Sequence, residues 1–145
     1  PTTTTLHDFI AVAWAHPEQD LVHHVIHRTD DGLIMLNRYP YSAGHLLVAL
    51  GDARGHLLDY DAAQRQAFWS LVDTATAMVH QTLHPQGVNL GVNEGAASGA
   101  GLPGYLHAHV VPRWFGDVNF MSTTAAARVI PSSLDAMAEM YRAAR

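Results

Sequence analysis

The sequence predicts an α+β domain: an antiparallel sheet of about five strands, one long helix packed on it, and shorter helices near the N- and C-termini. Three observations carry this. Two apolar runs, residues 22–28 and 33–37, flank Thr29-Asp30-Asp31-Gly32, and Asp-Gly between apolar runs is a strong hairpin signal. Residues 61–83 repeat apolar side chains at three-four spacing, the mark of one buried helical stripe. The order of hairpin, strand, long helix and two strands suits an antiparallel sheet with helices packed on it.

Taken in order, Thr2 to Thr5 is polar and frayed, with Thr4 or Thr5 able to cap the first helix. Residues 6–15 suit a short helix with Leu6, Ile10 and Ala13 on one stripe, stopped by Pro17. The hairpin strands come next, with His23 and His27 on one face of the first. Arg38-Tyr39-Pro40-Tyr41-Ser42-Ala43-Gly44 is a turn, and residues 45–50 alternate as a third strand. In the long helix, Phe68, Leu71, Val72, Ala75, Val79 and Leu83 form the stripe, and Pro85-Gln86-Gly87 ends it. Residues 88–93 and 106–111 are the fourth and fifth strands, and Pro112 ends the fifth or sets it at an edge. The chain is irregular after Asp117. A final helix over about 132–144 is capped by Ser132, with Asp135 as a weak capping-box partner and Leu134, Met137, Ala138 and Tyr141 as its apolar stripe. No repeat or linker divides the chain, so residues 1–145 are expected to form one domain with a motif-bearing core over about 20–120.

Bulk properties narrow the function. A formal charge of -5 argues against a nucleic-acid backbone as the main partner, although a local site can still hold a small anion. The absence of cysteine removes disulfides, thiolate catalysis and cysteine-based zinc sites. No apolar run approaches the roughly 20 residues of a membrane span, and no secretory signal pattern is present, so no membrane partner and a cytoplasmic location are expected.

The chemistry concentrates in residues 87–114. Strand side chains alternate faces with a period of two. His107 and His109 therefore share one face, and Leu106, Ala108 and Val110 the other. With 11 histidines in the chain, chance pairs are expected, so the neighbouring loop matters. Gly95-Ala96-Ala97-Ser98-Gly99-Ala100-Gly101 has no bulky side chain and lets backbone N–H groups approach an anion. Two chemistries compete. Paired imidazoles, joined by His45, can bind a metal. Alternatively one histidine is a nucleophile beside an anion cradle. The second uses more of what is present, since Glu94 is the only nearby carboxylate before the pair. Arg113 and Trp114 are suited to stacking on a base or touching a phosphate, or to packing at a sheet edge. His23, His24 and His27 are expected at or near the surface.

Tyr105-Leu106-His107-Ala108-His109-Val110-Val111 resembles the signature of the histidine triad family, in which histidine alternates with apolar residues. Residues 36–48 resemble the family's Asn-containing strand and Pro-Gly-His turn, and Asn89-Leu90-Gly91-Val92-Asn93-Glu94-Gly95 and residues 112–121 resemble its fragile-histidine-triad branch, especially diadenosine-tetraphosphate phosphorylase-like members. The resemblance implies a hydrolase or transferase acting on a nucleoside phosphoanhydride, such as a dinucleoside polyphosphate, through a nucleotidyl-histidine intermediate on His107. It implies that His109 contacts the phosphate and helps the leaving group depart. Asn37, His45 and Asn93 would line the nucleotide and phosphate site, together with Ser98, Gly99, Gly101, Tyr105 and Trp114. No cofactor is required, Mg²⁺ can accompany a polyphosphate substrate, and a homodimer is implied. The sequence departs from the pattern at Tyr105, which replaces the first histidine, at Gly101, where Ser or Gln is usual, and in lacking an N-terminal cysteine zinc site. The alternatives are a non-catalytic nucleotide-binding protein with a decayed triad, and a metalloprotein using His107, His109 and His45.

Overall fold

The strand that carries the histidine segment lies inside the sheet although it is the last strand among the described residues. In the computed structural model, which describes residues 8–117 and 133–144, five antiparallel strands run in the order β1-β2-β3-β5-β4. They are β1 (Val25–Arg28), β2 (Gly32–Leu36), β3 (Leu46–Leu50), β4 (Gly87–Val92) and β5 (Ala108–Arg113). Among the described residues, three α-helices accompany them: α1 (Phe9–Ala15), α2 (Ala62–Leu83) and α3 (Leu134–Ala143). Among the described residues, no helix is long and apolar enough to cross a membrane.

Alternation divides the sheet into two working faces. On one, Ile34, Leu36, Leu46, Val48, Ala108 and Val110 pack under α2 and α3 with Phe68, Val72, Val79, Met137 and Tyr141. On the other, Val25, Leu33, Met35, Leu47, Ala49 and Tyr105 pack against Ile10 and Ala13 of α1. Full burial of a large apolar side chain contributes about 1.5–3 kcal/mol, so residues such as Phe68 and Ile34 anchor the two layers. Helix α2 begins at a reciprocal cap: the Asp61 carboxylate accepts from Gln64 N at 2.8 Å, and the Gln64 amide oxygen accepts from Asp61 N at 3.0 Å. It is closed by His84, just before Pro85, in the left-handed region at φ 47°.

Several sequence expectations are corrected here. Helix α1 is capped by Asp8, whose carboxylate accepts from Ala11 N at 3.0 Å, whereas Thr4, Thr5 and Leu6 lie outside the described residues. Strand β1 starts at Val25, so His23 and His24 sit in the preceding turn, with His24 at φ 56°, and His23 and His27 share no strand face. The cap of α3 is Ser133, accepting from Ala136 N at 3.2 Å; Ser132 lies outside the described residues. Asp135 reaches His24 Nε2 at 2.7 Å instead of completing a capping box.

Pro112 does not end β5, which runs to Arg113, but it does stand where the β3 side of the strand is locally an edge. It pairs with Val88 of β4, while β3 pairing stops at Leu46↔Val110. The Pro112 carbonyl accepts the Ser42 hydroxyl at 2.5 Å, on the β3 side. A strand residue turns its N and C=O the same way, so the missing N–H falls where β3 has already ended and no ladder bond is lost.

Candidate active site

Residues 106–111 keep the alternation that the sequence predicts. Leu106, Ala108 and Val110 enter the core under α2. His107 and His109 stand on the opposite face, their ring centroids 5.1 Å apart. Both line a cavity of about 400 Å³, whose other walls include Phe9, Met35, Leu47 and Leu102, with Asn37 and Asn93 among its polar groups.

Hydrogen bonds fix which nitrogen of each ring carries the proton. His107 Nδ1 lies 2.9 Å from the main-chain carbonyl of Tyr105, which can only accept. Nδ1 is therefore protonated, and Nε2 keeps its lone pair. Nδ1 of His45 accepts from Tyr41 N–H at 3.1 Å, so the proton of neutral His45 is on Nε2. That N–H donates to His109 Nδ1 at 2.9 Å. His109 consequently carries its own proton on Nε2. Burial keeps the His107 ring below the usual imidazole range. Burial, and then the neighbouring His107 charge, push His109 down to about 4. At neutral pH the pair thus offers one lone pair and one N–H donor, both on uncharged rings.

The turn between β2 and β3 holds this arrangement. Asn37 Oδ1 accepts from Tyr39 N at 3.0 Å, leaving the Asn37 amide as donor toward His45 Nδ1 at 3.5 Å. Gly44 has φ +84°, and the buried Tyr141 hydroxyl of α3 donates to its carbonyl at 2.7 Å. A Cβ at Gly44 would lie 2.3 Å from Leu83 Cδ1, so packing and backbone angle both require glycine. Tyr41 closes the outer side, its ring stacked on His109 at 5.9 Å and 13°.

Of the residues singled out from the sequence, His107, His109, Asn37, Asn93, Gly99 and Gly101 meet in the cavity wall. His45 is fully buried behind His109 and acts on the site from behind, through the His109 ring and through the main chain of Tyr41. Tyr105 is 1 % exposed among the α1-side core, and its hydroxyl donates to Leu50 O at 2.6 Å, so its side chain is outside the cavity lining. Ser98 turns its hydroxyl to Gly95 O at 2.7 Å, and the Ser98 and Gly99 amides close on Gly95 and Ala96 carbonyls. These two donors serve the loop itself. Trp114 is half-buried outside the cavity lining, its main-chain N–H donating to Asp117 Oδ2 at 3.2 Å. The imidazole edges of the proposed metal set, His45 Nε2 and His109 Nδ1, face each other, and no group of three His, Cys, Asp or Glu suited to a metal occurs among the described residues.

Sequence reasoning missed His23 and His24, which line the cavity from the turn before β1. That turn holds no glycine or proline, so nothing local distinguishes it from a strand. It missed Phe9, Met35 and Leu47 as well, which look like core residues and are core residues whose edges open into the cavity.

The HIT domain family matches residues 18–116. The AP-4-A phosphorylase of Mycobacterium tuberculosis is 36% identical over 100 residues, covering 69% of this chain and 51% of that protein. The chain thus spans about half the length of the curated relative it matches. Among solved structures, a zinc-bound histidine triad family protein from Mycobacterium smegmatis superposes with a TM-score of 0.68 at 26% identity, covering 92% of this chain and 91% of that one. A hypothetical histidine triad nucleotide-binding protein from Sulfolobus tokodaii gives 0.73 at 19% identity over 92% and 90%, a likeness of fold.

Proposed function

The chain belongs to the HIT domain family, and from that premise we propose that it cleaves or exchanges a nucleoside phosphoanhydride at the α-phosphate through a nucleotidyl-His107 intermediate. The observation that carries this is the Tyr105 carbonyl on His107 Nδ1, which leaves Nε2 as an unprotonated nucleophile in the cavity wall. Likeness to a protein described as an AP-4-A phosphorylase supports a dinucleoside polyphosphate as substrate.

The nucleoside lies against the apolar wall of Met35, Leu47, Leu102 and Phe9, with Asn37 and Asn93 beside its sugar and phosphate. The His107 Nε2 lone pair forms the P–N bond. The bridging P–O bond breaks, its electron pair leaving on the oxygen of the departing phosphate. The proton on Nδ1 stays on the ring, donated to the Tyr105 carbonyl, which stabilises the cationic phosphoimidazole. His109 Nε2–H donates to the phosphate oxygens as charge shifts, a preorganised contribution from a dry site. Water or inorganic phosphate then attacks the phosphorus from the side the leaving group vacated; the P–N bond breaks, its electron pair returning to His107 Nε2, and an attacking water gives its proton to solvent. No resident cofactor is required in this scheme, and Mg²⁺ enters as the counter-ion of the polyphosphate. A homodimer is part of the same proposal, and sedimentation of the purified chain tests it.

A decayed, non-catalytic triad is the competing idea, and its support is Tyr105. The contact that this residue makes with His107 is a main-chain one, which any side chain supplies. The test is to mix enzyme with a dinucleoside polyphosphate, quench within one turnover into alkaline denaturant, where phosphohistidine survives, and weigh the intact protein. A mass increase of one nucleotide, absent in His107→Ala, is expected. Wild type with neither adduct nor product across a panel of nucleotides would overturn the proposal.

A further inference from the structure

Beside the main cavity lies a second hollow of about 310 Å³, lined by Ser42, Asn89, Gly91 and Arg113 and sharing Tyr41, Asn93 and His109 with the first. We propose that this hollow is a leaving-group subsite, which takes the phosphate chain and second nucleoside released from a dinucleoside polyphosphate, with the Arg113 guanidinium donating to that chain. The inference rests on the nucleotidyl-His107 reading above and extends it to the other half of the substrate.

The strand geometry sets the direction. His107, His109, Val111 and Arg113 are alternate residues of one chain segment and stand on one face. In-line displacement sends the leaving group away from His107. The nucleoside side of the cleft is the apolar wall, so the path left for the phosphate chain runs past His109 and along β5. At about 3.3 Å per residue, Arg113 stands roughly 13 Å beyond His109 along the strand, within the span of a polyphosphate and its second sugar.

Beside His109 the floor of that path is a glycine. Gly91 is directly opposite His109 in the β4–β5 register, and a Cβ there would meet nothing within 4 Å. Arg113 is held at the far end. Its Nε and Nη2 donate to Asp117 at 2.6 and 2.9 Å, and its Nη1 donates to Asn89 Oδ1 at 2.7 Å. Among the described residues these bonds use three of its five N–H donors and fix the plane of the fork, with one hydrogen left on each Nη nitrogen. Asp117 offsets much of the charge, so recognition here works through oriented N–H groups more than through net positive potential. The chemistry needs no proton at this end: the P–O electron pair leaves on a phosphate oxygen, which departs as an anion stabilised by His109 Nε2–H and the Arg113 donors.

Two substrates separate this subsite from the chemistry itself. One is a dinucleoside tetraphosphate. The other is the p-nitrophenyl ester of the same nucleoside monophosphate, whose leaving group is short. In Arg113→Met the ratio of kcat/KM for the first to that for the second is expected to fall about tenfold or more, as loss of charge-assisted hydrogen bonds implies. Gly91→Val obstructs the path without clashing in the free protein, and it is expected to lower the same ratio. A ratio unchanged in both variants overturns the subsite. If wild type forms the His107 adduct from the p-nitrophenyl ester while that ratio stays unchanged in the variants, the chemistry stands and the subsite falls. If neither substrate gives an adduct in wild type, the nucleotidyl-His107 reading fails and the subsite falls with it.

Discussion

His45 Nε2 lies 2.9 Å from His109 Nδ1, and the Tyr41 main-chain N–H behind His45 makes the direction of donation unambiguous. A fully buried histidine outside the cavity therefore sets the tautomer of one inside it. Removing it leaves His109 Nδ1 without its donor, a loss of about 1–3 kcal/mol for a buried polar group. We expect His45→Ala to lower kcat roughly 10–100-fold, the same energy read as rate. KM should change less, because His45 is behind the wall. His45→Gln, whose amide can donate to Nδ1, should recover part of the loss. Steady-state kinetics on the three proteins decide this, and a KM-only effect would contradict it.

The depressed imidazoles contribute to the acid limb of the protein's stability. An unfolded histidine titrates near 6.5, whereas His109 in the fold does so at about 4. Between these values the unfolded chain takes up a proton that the folded chain refuses. The contribution to stability is complete above about pH 6.5 and is lost as pH falls toward 4. Thermal melts should be flat from pH 7 to 8 and decline below about 6.5. His107 is shifted in the same direction by burial, so its neutral form persists into mild acid. Adduct formation between pH 7 and 6 should fall by less than the roughly threefold of a free imidazole. A rate inflection at 6.5 in rapid-quench experiments would refute this.

Tyr105 supports the site through its main chain and the core through its ring. Tyr105→Phe removes the donor to Leu50 O, and we expect a loss of about 1–2 kcal/mol in stability with kcat within about threefold of wild type. Tyr105→His restores the family signature yet places a smaller, polar ring in a buried apolar setting. A loss of roughly 2–4 kcal/mol and no gain in rate are expected. Denaturant unfolding alongside single-turnover rates measures both, and a large rate gain in Tyr105→His would favour the decayed-triad alternative.

The Gly44 turn should tolerate less than the tyrosine that holds it. Tyr141→Phe deletes one buried hydrogen bond to the Gly44 carbonyl, about 1–2 kcal/mol. Gly44→Ala meets a left-handed backbone together with Leu83 Cδ1 at 2.3 Å and the Tyr141 hydroxyl oxygen at 2.8 Å. Its cost is expected to reach about 2–4 kcal/mol. Because His45 is the next residue, Gly44→Ala should also lower kcat in the fraction that remains folded. Differential scanning calorimetry orders the two variants, and the reverse order would count against glycine as the residue this turn requires.

The elements with strong periodicity are legible in the amino-acid order alone. Residues 106–110 alternate apolar and histidine, and both the core face and the histidine face come from that pattern. The stripe of α2 is equally plain, and Phe68, Leu71, Val72, Ala75 and Val79 are all buried. Features that depend on partners distant in the chain are not legible in this way. Pro112 reads as an end or an edge because its missing N–H is visible, whereas the side of the strand that N–H would face is not. Tyr105 has the same parity as His107, yet α1 covers that part of the sheet and draws the ring into its core. His23 and His24 resemble strand residues because a left-handed turn at a histidine carries no glycine or proline to announce it.

The alternation of β5 ties catalysis and folding together at the level of chain length. One ply of polypeptide separates the two imidazoles from the core beneath α2. Inserting a single residue between Tyr105 and Leu106 would exchange the two faces of the segment that follows, driving His107 and His109 toward Phe68 and Val72 while Leu106, Ala108 and Val110 turned into the cavity. Substitutions can silence the histidines and leave the protein standing; a change of frame in this strand removes the site and the fold in one event.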